Sequence, residues 1–291
     1  MKKILNILSK LGCLFLSIVL FFFICIYLGL YLVPKMVTKE NVKVLINEVP
    51  TEELIDNKEA SLLDDLYKIA EENDIDKDLI SEVINYKEFK EVITNYYSEM
   101  VEAVLYNETP PRLNAYSIIN ATEKTLESLG ENLGYTITEE DKQIVMDYLN
   151  SNAERIIELV PTYDQVIESM GQEGIDALRT LFGNGVKTIL IFIIVIILLT
   201  MALISWSVYK FAIWSGVATV VAGLIFIFTG AFFYDVVLNS NETVLSISIR
   251  NLIENNILKQ FSNIGTTTAI IGAVQIAYYF IIRKNSTNIK Y

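Results

Sequence analysis

Histidine is absent from the 291 residues. Its absence removes the commonest general base, the Ser–His nucleophile pair and histidine-ligated zinc in one step. Cysteine is nearly absent, and the two present, Cys13 and Cys25, both fall within the first apolar run. On one helix they stand roughly 18 Å apart, too far for a bridge. Beyond that run, thiol catalysis and a disulfide framework are therefore excluded. No Walker sequence or dinucleotide-binding glycine fingerprint occurs. No Asp, Glu, Lys or Arg lies in the middle of any long apolar run, so the groups that ion and proton pathways require are missing, and a pump or coupled transporter is not expected. Gln275 is the one strongly polar side chain at depth. An interhelical hydrogen bond is its expected role rather than a substrate contact.

What the chain does have is four apolar runs of spanning length. Leu11 to Val33 is about 23 residues, enough for the roughly 30 Å hydrocarbon layer. Val186 to Trp206, Phe211 to Phe233 and Thr266 to Ile282 follow. Lys2, Lys3 and Lys10 precede the first run, Lys210 lies in the turn at 207–210, and Arg283, Lys284 and Lys290 follow the last. No Asp or Glu shares those segments, so the positive-inside rule puts all three on the cytoplasmic face. Residues 1–10 and 283–291 are then short cytoplasmic ends. Residues 34–185 and 234–265 lie outside, the former with most of the 35 acidic residues. The first run is read as a retained anchor, because it is too long for a signal-peptide core and Tyr27 to Lys35 offers no small-x-small cleavage site. Cys13 does not make a lipoprotein signal, since Lys10 stands where an apolar residue is needed. Excess Lys over Arg with abundant Ile, Asn and Tyr is the composition of an AT-rich bacterial genome. A multi-pass protein of a Gram-positive cell membrane fits best.

From Thr38 to Phe182 the apolar residues recur at helical spacing. Phe89, Val92, Ile93, Tyr96, Met100 and Val104 form one stripe. Leu62, Leu66, Ile69 and Ala70 form a second, and Ile144, Val145, Tyr148, Leu149, Ile156, Ile157 and Val160 a third. Each stripe is half a core. Thr138 followed by Glu139, Glu140 and Asp141 reads as a helix N-terminus. Pro110 with Pro111, Gly130 with Gly134, and Pro161 read as stops or breaks. The expected fold is all-α: four transmembrane helices, with an extracytoplasmic bundle of six or seven helices between the first two. Asp74, Asp76 and Asp78 alternate like the opening of an EF-hand loop. Leu79, however, stands where the turn needs Gly, and Asn85 where a bidentate Glu closes the site. Solvated carboxylates at a helix start are expected there, with a weak divalent-ion site as the alternative. Asp64 with Asp65 and Glu71 with Glu72 are neighbours in sequence and do not face each other on a helix. The many tyrosines invite a carbohydrate-stacking reading, but Tyr96 and Tyr148 belong to apolar stripes and are expected in the core.

In the third run Gly216, Gly223 and Gly230 recur at intervals of seven, two helical turns, and so share a face that admits a close neighbour. Gly265, Ala269 and Gly272 repeat the pattern in the fourth. These six are the expected helix-packing site, pairing spans three and four. The second span has no such seam and is expected to face lipid. Leu245, Ile249, Ile253, Ile257 and Phe261 recur at intervals of four and predict a separate amphipathic helix on the membrane surface or against the outer domain.

Thr38-Lys-Glu-Asn-Val-Lys, Phe89-Lys-Glu-Val-Ile and Thr138-Glu-Glu-Asp-Lys resemble stretches of four-span membrane proteins of low-GC Gram-positive bacteria that carry a helical extracytoplasmic domain. The likeness covers most of the chain and implies no activity. The order of one span, a large outer domain and three further spans is similar to FtsX-like and MacB-like transmembrane subunits. Residues 207–210, however, leave no cytoplasmic surface to engage an ATPase. The expected function is that of a non-enzymatic envelope protein, without catalytic residues, metal or cofactor, whose helical outer domain binds or senses a partner. Its expected partners are membrane lipids and a protein or second copy met through that domain and spans three and four. Nucleic acid is excluded by the acidic charge. The alternative is a transmembrane subunit passing signal or force within a larger complex. A wall-active enzyme would need two facing carboxylates brought from different helices.

Overall fold

The computed structural model describes residues 2–49, 67–68, 71–72, 82–132, 138–151, 157, 160–205, 210–234 and 247–288. Regular structure among these residues is helical, with no strand. In chain order the helices are α1 (Lys2–Met36), α2 (Lys39–Asn47), α3 (Lys87–Tyr106), α4 (Ala115–Asn132), α5 (Glu139–Ser151), α6 (Tyr163–Met170), α7 (Gln172–Phe182), α8 (Asn184–Ile204), α9 (Lys210–Tyr234) and α10 (Ile247–Leu252). A π-helical turn (Ile253–Leu258) then leads into α11 (Lys259–Asn288). The chain divides into two compact units, Met1–Val37 with Thr180–Tyr291, and Thr38–Arg179.

In the first unit four helices are long and apolar enough to cross a membrane. A helix is what such runs must form there, because every backbone N–H has to find its acceptor within the segment. Consecutive long helices alternate in direction. Ser9, near the start of α1, donates to the Ile204 carbonyl at the end of α8 (2.8 Å), whereas Gln260, near the start of α11, donates to the Lys35 carbonyl at the end of α1 (3.1 Å). Along α1, Cys13, Ser17, Leu20, Leu28 and Leu32 are buried. The Ser17 hydroxyl donates to the Trp214 carbonyl of α9 at 2.8 Å, and Leu20 packs with Ile197, Met201 and Ala218. The second span therefore does not face lipid all round. Leu190, Ile197 and Met201 of α8 form a buried stripe, while Phe192, Ile196, Leu199 and Leu203 stay exposed. Ile and Leu occupy both faces alike, so the apolar pattern alone carries no seam.

The amphipathic stretch also differs from expectation. α10, the π turn and α11 follow one another without a break, and the apolar helix extends from Ile249 to Lys284. Leu252 and Ile253 are buried, and the Phe261 ring lies 5.9 Å from that of Phe226 on α9. A repeat of four overruns the 3.6-residue α turn, and the wider π turn keeps the stripe on one side of the helix. The stretch is thus the beginning of the last span rather than a separate surface helix.

The second unit is built on α3. Phe89, Ile93, Tyr96 and Met100 form its inner face and pack with Ile118 and Leu126 of α4, Val145 and Leu149 of α5, and Val160. Asn107 stops α3 in the left-handed region at φ 57°, ahead of Pro110 and Pro111. The Thr138 N–H donates to Asp141 Oδ2 (2.9 Å) and the Asp141 N–H donates back to Thr138 Oγ1 (3.1 Å), capping α5. Thr162 and Gln165 cap α6 in the same reciprocal way. Two long-range bonds tie these later helices to α3: the Tyr96 hydroxyl donates to the Pro161 carbonyl (2.8 Å), and Arg179 Nε donates to the Val104 carbonyl (2.9 Å). Gly130, expected to end a helix, lies inside α4, which continues to Asn132. Gly134, Ile156 and the stripe Leu62, Leu66, Ile69 and Ala70 lie outside the described residues.

Candidate functional site

The six small residues singled out in spans three and four meet along the α9–α11 contact. A Cβ added to Gly216 would stand 2.8 Å from the Gly272 carbonyl oxygen, and one added to Gly223 would stand 2.5 Å from both the Gly265 carbonyl oxygen and the Ala269 nitrogen. The relation is reciprocal, since Gly265 would meet Gly223 and Gly272 would meet Gly216, each at 2.7 Å from the carbonyl oxygen. Seven residues up one helix correspond to seven down the other, as antiparallel neighbours require. Gly230 differs, because its nearest atom is the Phe261 Cβ at 2.9 Å, a side chain and not backbone. At Gly216, Gly223, Gly265 and Gly272 nothing larger than hydrogen fits without parting the helices.

Gln275 does not make the expected interhelical bond. Its Oε1 is buried with no hydrogen-bond partner among the described residues. It borders a hollow of about 720 Å³ lined by Leu198 and Leu199 of α8, Phe211 and Ser215 of α9, and Tyr278. Ser215, the hydroxyl on that wall, donates instead to the Ala212 carbonyl of its own helix at 3.4 Å.

The Thr38–Arg179 unit carries a polar cleft of about 410 Å³ between α2 and α3, lined by Lys43, Asn47, Lys87, Lys90, Glu91, Thr94 and Asn95. The two helices are held in place around it. Thr94, almost fully buried, donates to Asn47 Oδ1 at 2.8 Å, and Lys39 pairs with Glu99 at 2.9 Å. The hydrogen bond to Glu99 raises the Lys39 pKa above its ordinary value. None of Lys43, Lys87 and Lys90 is paired with a carboxylate among the described residues. Three cations against one carboxylate make this a basic hollow in an acidic unit, suited to holding an anionic, hydrogen-bonding group. Sequence reading missed it because Lys43 is distant from Lys87 and Lys90 in the chain and only the α2–α3 pairing joins them. Burial beside this helix also pushes the Tyr97 phenol up to about 12, with the Tyr96 phenolate charge adding to the effect.

Asp74, Asp76 and Asp78 lie outside the described residues. Among the residues that are described, no three His, Cys, Asp or Glu side chains gather where a metal ion could be held. No family model matches the chain, and no similar protein was found among curated sequences or solved structures.

Proposed function

We propose that the chain is a non-enzymatic membrane protein of the bacterial cell envelope whose Thr38–Arg179 unit binds a partner outside the membrane. The observation that carries the reading is the basic α2–α3 cleft, set in a unit with its own apolar core and joined to a set of membrane-crossing helices. The charge pattern supports the orientation. Lys10, Lys210, Arg283 and Lys284 flank the apolar helices on the side where no acidic residue lies, and the acidic unit belongs on the other. In that orientation a partner presents an anionic group to Lys43, Lys87 and Lys90, and the α9–α11 seam holds the anchor together. The resemblance to four-span proteins of low-GC Gram-positive bacteria agrees with this placement.

The test is crosslinking in intact cells from photoreactive groups placed at Asn47 and Lys87, with mass spectrometry of what is captured. A reproducible partner lost on the charge reversals Lys43→Glu and Lys90→Glu supports the reading. Equal capture from those variants contradicts it. A second reading, a subunit passing force or signal, is favoured by the unbroken helix from Ile247 to Asn288. The π turn within it is a place where the helix can change register. Capture of a membrane complex through α11 rather than the α2–α3 cleft would select that reading.

A further inference from the structure

A cleft between α1 and α11, at the end of the first span, places one cation and several uncharged donors around an apolar floor. Its volume is about 420 Å³, and Tyr27, Leu28, Tyr31, Lys35, Asn263, Ile264, Thr267 and Thr268 line it. Lys35 is the informative residue. A lysine at the end of a membrane helix ordinarily extends its ammonium away from the span into water. Here the ammonium folds back one turn toward the span and lies 4.2 Å from the centre of the Tyr31 ring. Tyr31 in turn stacks with Tyr27, ring centres 6.2 Å apart. The backbone beneath Lys35 is held from α11, since Gln260 donates to its carbonyl oxygen at 3.1 Å. Across the cleft no hydrogen bond among the described residues engages the side chains of Asn263, Thr267 or Thr268, and Thr268 is only 8% exposed. Lys35 has no carboxylate partner among the described residues either.

A cation turned back toward an apolar helix of spanning length, at that helix's end and beside unused hydroxyl and amide donors, lacks an anion. The floor of Leu28 and Ile264 continues along the same helix faces to half-buried Ile24 on α1 and to exposed Ile271, two turns from Ile264 on α11. The ligand therefore has a charged head and an apolar tail. We propose that this cleft binds the headgroup of an anionic phospholipid, with Lys35 pairing the phosphate, Asn263, Thr267 and Thr268 donating to its oxygens, and the acyl chains lying along α1 and α11. The site is independent of any partner of the Thr38–Arg179 unit.

The test uses the full-length protein in neutral detergent, with native mass spectrometry to count bound phosphatidylglycerol or phosphatidylcholine of the same acyl chains. Both lipids carry the phosphate, but only phosphatidylcholine brings a quaternary ammonium up to Lys35, so phosphatidylglycerol is expected to bind about tenfold more tightly, the size of one modest like-charge penalty. Lys35→Gln should abolish the preference, Lys35→Arg should keep it, and Thr268→Val should weaken it a few-fold. Lys284→Gln, at the other end of the bundle, should leave it unchanged. Circular dichroism of each variant separates loss of binding from loss of fold, and retention by Lys35→Arg decides the matter if Lys35→Gln does not fold. Equal binding of the two lipids, or equal loss in Lys35→Gln and Lys284→Gln, overturns the proposal. Displacement of the lipid by millimolar inorganic phosphate also overturns it, in favour of a free-anion site.

Discussion

Tyr97 makes the sharpest case for a single side chain. The fold favours its neutral phenol, whose pKa rises to about 12. Because the folded value is raised, the stability Tyr97 contributes is complete below the ordinary tyrosine value near 10 and is lost as pH climbs through about 12. The unfolding temperature should therefore fall across that window, and Tyr97→Phe should make the fall shallower. Superimposable pH profiles for the two proteins would contradict this. Ile93, 1% exposed at the centre of the α3 face, is a simpler probe. Ile93→Ala should cost about 2–5 kcal/mol in chemical denaturation, the usual price of a cavity in a packed core. Phe89, Ile93 and Tyr96 were legible from their spacing, because a core stripe is a property of one helix. Gln275 was not, because its neighbours belong to α8 and α9 and Ser215 had already spent its hydroxyl on its own helix.

Between elements, the α9–α11 seam orders the effects of its glycines. At Gly223 an added methyl meets two backbone atoms at 2.5 Å, whereas at Gly230 the closest approach is to one atom, the Phe261 Cβ, at 2.9 Å, a smaller overlap. Gly223→Ala should thus lower thermal stability in detergent by about 1–3 kcal/mol and Gly230→Ala by clearly less. Equal losses would mean that the helices part as easily at one place as at the other. Asn107 tests a helix end in the same manner. Its φ of 57° suits Asn or Gly, so Asn107→Val should cost about 1–2 kcal/mol while Asn107→Gly stays near neutral. The glycine faces were readable because intervals of seven survive in the sequence. The buried stripe of α8 and the continuity of α10 with α11 were not, because Leu and Ile are uniform around α8 and a repeat of four does not reveal whether a π turn follows it.

The whole molecule divides its labour between four helices long and apolar enough to cross a membrane and a helical Thr38–Arg179 unit with its own core. Four spanning helices were evident from run length and the absence of central charge, since the bilayer imposes both. The basic α2–α3 cleft was hidden, because lysines brought together by packing leave no local pattern in an acidic sequence. The central claim is that this unit is displayed outside while the end of α11 lies inside. The most direct test labels single cysteines in intact cells with a membrane-impermeant maleimide, on a Cys13→Ala, Cys25→Ala background. Ser151→Cys should react at once and Lys284→Cys only after the membrane is opened; reaction of Lys284→Cys in intact cells, with Ser151→Cys protected, would contradict the account.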